Sequence, residues 1–420
     1  MDDVSVSENI AAKEAVSKDD VDIAIIGGGL VGASLACALA PLIDRYRLRV
    51  AVIEAAPLSI SKASTSHELA YQPSFDARAS AIAQGSRVHF ERLGVWTRMA
   101  EQAESIRCIH VSQRGSWGAT RLEADELGVE ALGYVLPNAW MGRVLHQRLA
   151  EMALEWHCPA KVDTIVPTAK GHRLTLSQGR TVEARLTVLA DGGRSGLKER
   201  LGIASQARPY GQQAIIANLE VSRPHQGVAY ERFTSQGPMA LLPLSGNRME
   251  LVWTHPQGAD EAIMNAGDGD FLAWLQQAFG DRAGRFRRVG QRHRYPLSLV
   301  TAEEPVRPGL AVLGNAAHAL HPVAGQGFNL ALRGVMDLVT VLAESLALNR
   351  TLGGLDALSA FEARRARDRR NVIRFSDGLI RLFGIDQPLL AHARGAGLVG
   401  LNLAGPLRRT LARRAMGLER

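Results

Sequence analysis

The sequence predicts an α/β protein: a parallel-stranded domain, an antiparallel sheet inserted into it, and a helical C-terminal region. Three observations carry this expectation. First, an apolar run at 23–26 breaks at Gly27-x-Gly29-x-x-Gly32, and a small-residue run (33–40) follows. Second, two later apolar runs stop at glycines, 187–190 at Asp191-Gly192-Gly193 and 309–313 at Gly314-Asn315. Third, residues 213–253 alternate in character between Gly-Pro and Gly-Asn turns, as antiparallel strands do.

In chain order, residues 1–20 are polar, carry Asp2, Asp3, Glu8 and Glu14, and read as a disordered tail rather than a signal peptide. The strand at 23–26, the glycines and the helix after them form the Rossmann-type dinucleotide turn. Gly27 allows the tight turn, Gly29 lets a pyrophosphate approach the backbone, and Gly32 lets helix pack on strand. A phosphate there meets the free N–H groups of a helix start. The next strand, 49–53, ends in Glu54, an acid suited to a ribose diol about 20 residues past the last glycine. Such an acid repels a 2′-phosphate, which points to NAD or FAD.

Residues 57–74 read as a long loop, and 76–93 as a helix opened by Asp76-Ala77-Arg78. Residues 106–112 and 118–122 read as paired strands, and 141–156 as a helix with Arg143 in its first turn. A cation there opposes the dipole unless it meets an anion. Strands at 161–166, 173–176 and 182–189 lead to Asp191-Gly192, another strand end suited to a cofactor. After the alternating region come a short helix (271–279) and a strand (292–297). The strand at 309–313 leads to Gly314-Asn315-Ala316-Ala317-His318, and His321-Pro322-Val323-Ala324-Gly325-Gln326-Gly327-Phe328-Asn329 opens a helix of about twenty residues. Its paired glycines suit an anion or carbonyl cradle. The stretch 355–420 is helical; Arg364, Arg365, Arg367, Arg369, Arg370 and Arg374 read as solvated, and 395–407 as a Gly- and Leu-rich patch. The expected division is a tail (1–20), a dinucleotide domain (21–205 and 290–355), a sheet domain (206–289) and a helical region (356–420).

The 420 residues carry 49 basic and 42 acidic side chains, a net +7. That mild excess suits a membrane surface or an anionic ligand and is no nucleic-acid signature. Cys37, Cys108 and Cys158 are scattered, which argues against a disulfide framework or a metal site. No apolar run reaches the roughly 18 residues of a spanning helix.

The glycine triplet with Glu54, then Asp191-Gly192, then the segment from Gly314 to Asn329 together resemble the three motifs of the FAD-dependent aromatic hydroxylases. These are the para-hydroxybenzoate hydroxylase-like monooxygenases, and the resemblance spans nearly the whole chain. The segments Ile106-Arg107-x-Ile109-His110, Ala229-Tyr230-Glu231-Arg232-Phe233 and Ala324-Gly325-Gln326-Gly327-Phe328-Asn329 resemble the ubiquinone-biosynthesis branch. Within it, Gly314-Asn315 resembles members that act on 2-polyprenyl-6-methoxyphenol.

The resemblance implies a fold in which a Rossmann-type FAD-binding domain holds an inserted antiparallel substrate domain. It implies that Gly27, Gly29 and Gly32 cradle the FAD pyrophosphate and that Glu54 holds the ribose. Arg78 and Arg143 would touch the phosphate and ribityl region, and Asp191-Gly192 the pyrophosphate. Gly314 and Asn315 would face the ribityl chain. Pro322 and Gly325 would shape the flavin loop, with the N–H groups of Gly327, Phe328 and Asn329 on the flavin pyrimidine. Two positions depart from the pattern: Asn315 replaces the usual Asp, and Gly334-Val335 stands where relatives often have Arg-Asp. The implied reaction takes NAD(P)H, O2 and a polyprenyl phenol and adds oxygen to the ring. The chemistry is flavin-borne, so no catalytic side chain is assigned; His318 and His321 read as loop histidines with satisfied rings. No nucleic acid is expected. The expected location is the cytoplasm, with peripheral contact at the inner membrane face and partners among other ubiquinone-biosynthesis proteins left open. The Trp-x-Trp-x-Ile-Pro segment of a flavin-dependent halogenase is absent from the sequence. A prenyl reductase and a non-catalytic FAD-holding subunit stay open as alternatives.

Overall fold

The computed structural model describes residues 20–57, 78–177, 179–384 and 387–418. The tail expected before residue 20 and nearly all of the loop expected at 57–74 lie outside the described residues.

With elements numbered in chain order, strands β1 (Asp20–Ile26), β2 (Val50–Ile53), β8 (Glu155–His157), β11 (Thr181–Leu189) and β19 (Leu310–Val312) run parallel in one sheet. Strand β18 (Val306–Arg307) pairs antiparallel with β19, and the hairpin β9 (Val162–Thr168)–β10 (Gly171–Leu176) pairs with β11. Both faces are covered, which is why the 23–26 part of β1 is continuously apolar rather than alternating. Ile23 and Ile25 pack toward helices α1 (Leu30–Ala38), α5 (Asn138–Ala150) and α9 (Gln326–Ala347), while Ala24 and Ile26 pack toward Leu174, Leu197 and Leu310. Each such isoleucine contributes about 1.5–3 kcal/mol by burial. In register, Ile26 lies opposite both Ile53 and Leu189, and Leu189 opposite Val312. Gly27, Glu54, Asp191 and Gly314 therefore emerge along one sheet edge.

Two expected helices are shorter than their sequences suggest. Residues 79–83 form strand β3, and helix α3 (Gln84–Arg92) begins only after it. Pairing with β7 (Gly133–Pro137), itself paired with β4 (Glu104–Ile106), overrides the helix propensity of Ala79-Ser80-Ala81-Ile82-Ala83. The helix expected to reach 156 ends at Ala150, because Glu155-Trp156-His157 pair with Ala51-Val52-Ile53 at the edge of the parallel sheet. Short helices α2 (Ala40–Tyr46), α4 (Trp96–Ala100) and α6 (Leu197–Arg200) complete this half.

The second sheet is 9-stranded: β20 (His318–Ala319), β17 (His293–Ala302), β12 (Ser205–Val221), β15 (Arg248–Pro256), β14 (Gly237–Leu244), β13 (Val228–Thr234), β5 (Cys108–Gln113) and β6 (Ala119–Glu123) in that order, with β16 (Phe286–Val289) also on β12. It draws strands from 108–123 and 293–319 as well as from the expected insert, and β5 joins β13 in parallel. Its reverse face packs Ile215, Leu219, Leu241 and Leu251 on Phe271, Leu275 and Phe279 of α8 (Asp268–Phe279), which follows α7 (Asp260–Asn265).

Helices α10 (Leu355–Gly384), α11 (Pro388–Leu403) and α12 (Gly405–Ala415) return across the other face. A Cβ on Gly118 would lie 2.1 Å from the Gly395 carbonyl oxygen, so α11 rests directly on the backbone beside β6. The Gly85 N–H donates to the Met416 carbonyl at 2.9 Å, tying the end of α12 to α3. The arginines of α10 are not all solvated. Arg365 is 3% exposed, fills the space that Gly334 leaves on α9, and donates to the Leu330 carbonyl and Asp368 at 2.9 and 2.7 Å. Arg333 pairs with the same Asp368 at 2.8 Å. Among the described residues no helix is long and apolar enough to cross a membrane.

Candidate active site

At the carboxyl edge of the parallel sheet, the three glycines of the first motif have different surroundings. A Cβ on Gly32 would lie 1.9 Å from the Gly27 carbonyl oxygen, so α1 seats only with hydrogen there. Gly27 takes a φ of 102°, and a Cβ on it would meet the Ala190 carbonyl oxygen at 2.6 Å. Gly29 is different: a Cβ there meets nothing within 4 Å, and its φ of −69° suits any residue. No side chain caps α1, so its first N–H groups face that open space.

Glu54 accepts from the Gly28 N–H at 2.6 Å and the Ala56 N–H at 2.8 Å, which fixes its carboxylate beside the turn. Gly28 does not stand out in the sequence, yet a Cβ on it would crowd Glu54 and Trp156 at 3.2–3.3 Å. His146 of α5 contacts the Gly28 carbonyl oxygen at 2.6 Å. Arg143 is half-buried in the second turn of α5, not the first, since the helix begins at Asn138; a Cβ on its neighbour Gly142 would lie 3.8 Å from Leu30 at the start of α1.

Asp191 spends its carboxylate locally. It accepts from the Gly193 and Ser195 N–H groups at 3.0 and 2.9 Å and from the Ser195 hydroxyl. Gly192 and Gly193 have φ of 72° and 73°, and a Cβ on Gly193 would lie 3.5 Å from the Asn315 carbonyl oxygen and from Ala316. Gly314, with φ 62°, lies against Val31 of α1. Asn315 is exposed between buried Gly314 and Ala316. The first and third motifs thus meet across α1.

The third motif ends at the N-terminus of α9, which no side chain caps. Gly325 holds the N-cap position with φ 59°, and the N–H groups of the first turn, Gly327 and Phe328 among them, have no intrahelical partner. A Cβ on Gly327 meets nothing within 4 Å. Asn329 is structural: its amide donates to the Ala81 and Gly325 carbonyls at 2.9 and 2.8 Å and accepts from the Ala83 N–H at 2.8 Å. It clips β3 to α9. Phe328 packs against Phe90, and Arg78 donates to the Tyr295 hydroxyl at 2.6 Å.

Beside this loop lies a cavity of about 660 Å³. Ala81, Pro322, Gly325 and Gln326 form one side; Ile109, Leu122, Ala229 and Leu242 come from the sheet; Leu379, Leu398, Leu401, Leu411 and Met416 come from α10–α12. Of the Gly- and Leu-rich C-terminal patch, Gly397, Leu398 and Leu401 line the cavity, whereas Leu403 and Leu407 point outward at 80% and 61% exposure. The sheet separates two environments. Along β5 and β13, Ile109, Val111, Ala229 and Phe233 face the cavity, while Cys108, His110 and Val228 line a polar cleft on the reverse side with Arg121 and Arg282.

Burial sets the titration of several groups. Desolvation lowers His318 to about 3 and His321 to about 4, so both are neutral near pH 7. His321 accepts from the Val323 N–H at 3.1 Å, but the Nε2 atoms of both rings are buried without a partner among the described residues, so the expectation of satisfied rings is not met. Glu250 on β15 is 3% exposed, and burial raises it to about 7 against the opposing effects of the Ala79 N–H bond and Arg78. Its carboxylate accepts from the Ala79 N–H at 2.9 Å and joins the second sheet to β3. Glu250 and Arg394, which lines the cavity, are not anticipated by the sequence reading. The inward register of β15 was the available signal for Glu250; Arg394 had none within an arginine-rich tail.

A family model described as an FAD binding domain matches residues 20–376. Ubiquinone hydroxylase UbiL of Rhodospirillum rubrum is 37% identical over 402 residues, covering 94% of this chain and 89% of the relative. The 3-demethoxyubiquinol 3-hydroxylase of Escherichia coli is 29% identical over 408 residues, covering 96% and 100%. Among solved structures, p-nitrophenol 4-monooxygenase PnpA from Pseudomonas putida has a TM-score of 0.73 at 14% identity, covering 95% of this chain and 98% of that one, a likeness of fold.

Proposed function

This chain belongs to the FAD binding domain family, matched over residues 20–376, and from that premise we propose that it hydroxylates the aromatic ring of a polyprenyl phenol, of the 2-octaprenyl-6-methoxyphenol type, in ubiquinone biosynthesis. NAD(P)H is the reductant and O2 the oxidant. The observation that carries the reading is the apolar cavity of about 660 Å³ bordered by Pro322, Gly325 and Gln326. An aromatic ring with a prenyl tail suits such a lining. The names of the relatives above support the pathway.

The residues fit FAD on structural grounds: two uncapped helix starts, and space where Gly29 and Gly327 lack side chains. When bound, FAD supplies the redox chemistry between nicotinamide and oxygen. In this reading Gly27, Gly29 and Gly32 admit the pyrophosphate to the N-terminus of α1, with Arg143 close by. Glu54, already oriented by Gly28, receives the ribose. Asp191 and Gly192 shape the turn that backs the pyrophosphate, Gly314 and Asn315 meet the ribityl chain, and Arg78 lies beside the phosphate and ribityl region. The first-turn N–H groups of α9 face the flavin pyrimidine, positioned by the Asn329 clip, and α10–α12 keep water from the reacting ring. Outward Leu403 and Leu407, close to Arg409 and Arg414, suit peripheral contact with an anionic membrane.

Purified protein given a prenylated phenol, NAD(P)H and O2 should consume oxygen in a phenol-dependent way and yield a product one oxygen heavier. Deleting the gene should make the unhydroxylated precursor accumulate. Retained FAD with no phenol-dependent oxidation of NAD(P)H would overturn the proposal in favour of a non-catalytic FAD-holding subunit.

A further inference from the structure

Among the described residues three arginines are buried: Arg333 at 6% exposure, Arg365 at 3% and Arg394 at 8%. The first two are matched by carboxylates, Arg333 by Asp368 and Arg365 by Asp337 and Asp368. Arg394 on α11 is not. Its Nε donates to the Gln113 side-chain oxygen at 3.0 Å, and its Nη1 donates to the Leu382 carbonyl at 3.1 Å, both neutral acceptors. Among the described residues no carboxylate pairs with it and Nη2 has no acceptor.

Burying a guanidinium without an anion is costly, and such a charge is normally paired. Arg394 nevertheless lines the apolar cavity. Glu231, the other charged residue of the lining, has an interaction of its own. Arg394 is also near the loop at Pro322. Leu398, one turn further along α11, clusters with Val323, Phe233 and Phe383, and Gln113 lies opposite Phe233 in the sheet. A ligand that fills this cavity with apolar groups, while presenting one acidic oxygen here, supplies what the guanidinium lacks.

We infer that Arg394 is a specificity residue that receives the phenolic oxygen of the ligand and favours its ionised form. Gln113 and the Leu382 carbonyl hold the guanidinium in place without neutralising it. This rests on the reading of the cavity as the site of a prenylated phenol. A guanidinium in a low-dielectric wall stabilises a phenolate over a neutral phenol, and an ionised ring oxygen makes the ring more electron-rich.

The test compares binding of 2-geranylphenol and its methyl ether to the FAD-loaded, oxidised protein, followed by perturbation of the flavin spectrum. The wild type should prefer the phenol by roughly 10- to 100-fold, the range for hydrogen bonds to charged groups. Arg394→Met should bring the two affinities within about twofold, and Arg394→Lys should retain part of the preference. Gln113→Glu is decisive, because it keeps the contact to Arg394 and supplies the missing anion. If Arg394 only fastens α11 to β5, that variant is stable and binds the phenol as before; if Arg394 receives the phenolic oxygen, the variant is stable and the preference is lost. An unchanged preference in Gln113→Glu overturns the assignment. A wild type that binds both probes equally overturns it alone, whereas a wild type that binds neither overturns the reading of the cavity and the assignment with it.

Discussion

The glycine edge of the parallel sheet and the apolar cavity beside it answer to different parts of the sequence. At the edge, a few backbone positions decide everything, and they sit within six residues of one another or at the ends of paired strands. In the cavity, no single position decides, because the lining comes from strands near residues 81, 109, 229 and 242 and from helices beyond residue 375. The edge is constrained by what cannot be added to it, and the cavity by what must be brought to it.

The largest expected effect separates two glycines that look alike in sequence. Gly32→Ala forces a methyl group onto the Gly27 carbonyl and should destabilise the fold by about 3 kcal/mol or more, read from urea unfolding. Gly29→Val should cost only about 1 kcal/mol of stability, as a poor N-cap residue, yet should expel FAD. A Gly29→Val protein that keeps FAD at full occupancy would show that the pyrophosphate does not lie there.

Glu250 joins the second sheet to β3, and its effect should depend on pH. Its folded value of about 7 lies above the ordinary carboxylate value of 4.5. The folded chain therefore holds a proton that the unfolded chain releases, and stability falls as pH rises from about 4.5 through about 7. Glu250→Gln removes that dependence. Its stability relative to wild type should rise by up to about 3 kcal/mol between pH 5 and pH 8. Parallel pH profiles for the two proteins would show that the buried carboxyl titrates normally.

A smaller effect is expected where the cavity wall rests on the sheet. Gly118→Ala pushes a methyl group against the Gly395 carbonyl and should cost about 1–3 kcal/mol. Binding of 2-geranylphenol should weaken while FAD content stays full, since α11 touches the cavity and not the glycine edge. Joint loss of both would mean that the two regions are not separable. Smallest is Asn315→Ala, expected to weaken FAD binding by about 1–2 kcal/mol, with Asn315→Asp tolerated. Unchanged affinity, measured by fluorescence titration of the apoprotein, would remove Asn315 from the site.

The same contrast explains what the sequence disclosed. Gly27, Gly29, Gly32 and Glu54 are legible because a tight turn, a close approach and a strand end are local demands. Residues 79–83 read as helix because their alanines favour one, and only β7, fifty residues away, makes them a strand. Asn329 is legible as part of a motif, but its clipping of β3 is not, since the sequence gives no sign of β3 itself. The cavity cannot be seen at all from periodicity. Leu398 and Leu401 follow a helical pattern that is equally consistent with a membrane face, a subunit interface or a ligand. Arg365 and Arg394 look in sequence like the surface arginines around them, and only their partners distinguish them.

Because successive residues of β5 and β13 point to opposite sides of the sheet, the two strands carry two independent records. Odd-numbered positions such as Ile109 and Ala229 set the shape of the cavity, and even-numbered ones such as Cys108 and His110 set the chemistry of the polar cleft behind it. Only Tyr230 of β13 touches both spaces, so most point changes at one set leave the other untouched. A lineage can thus adjust the length or bulk of the ligand it accepts without redesigning its exterior, and can redraw the exterior without losing the ligand. An insertion or deletion of one residue within either strand breaks that independence, since it exchanges the two records at a stroke. Drift in this part of the fold should therefore run through substitutions, with length changes confined to the turn between β5 and β6.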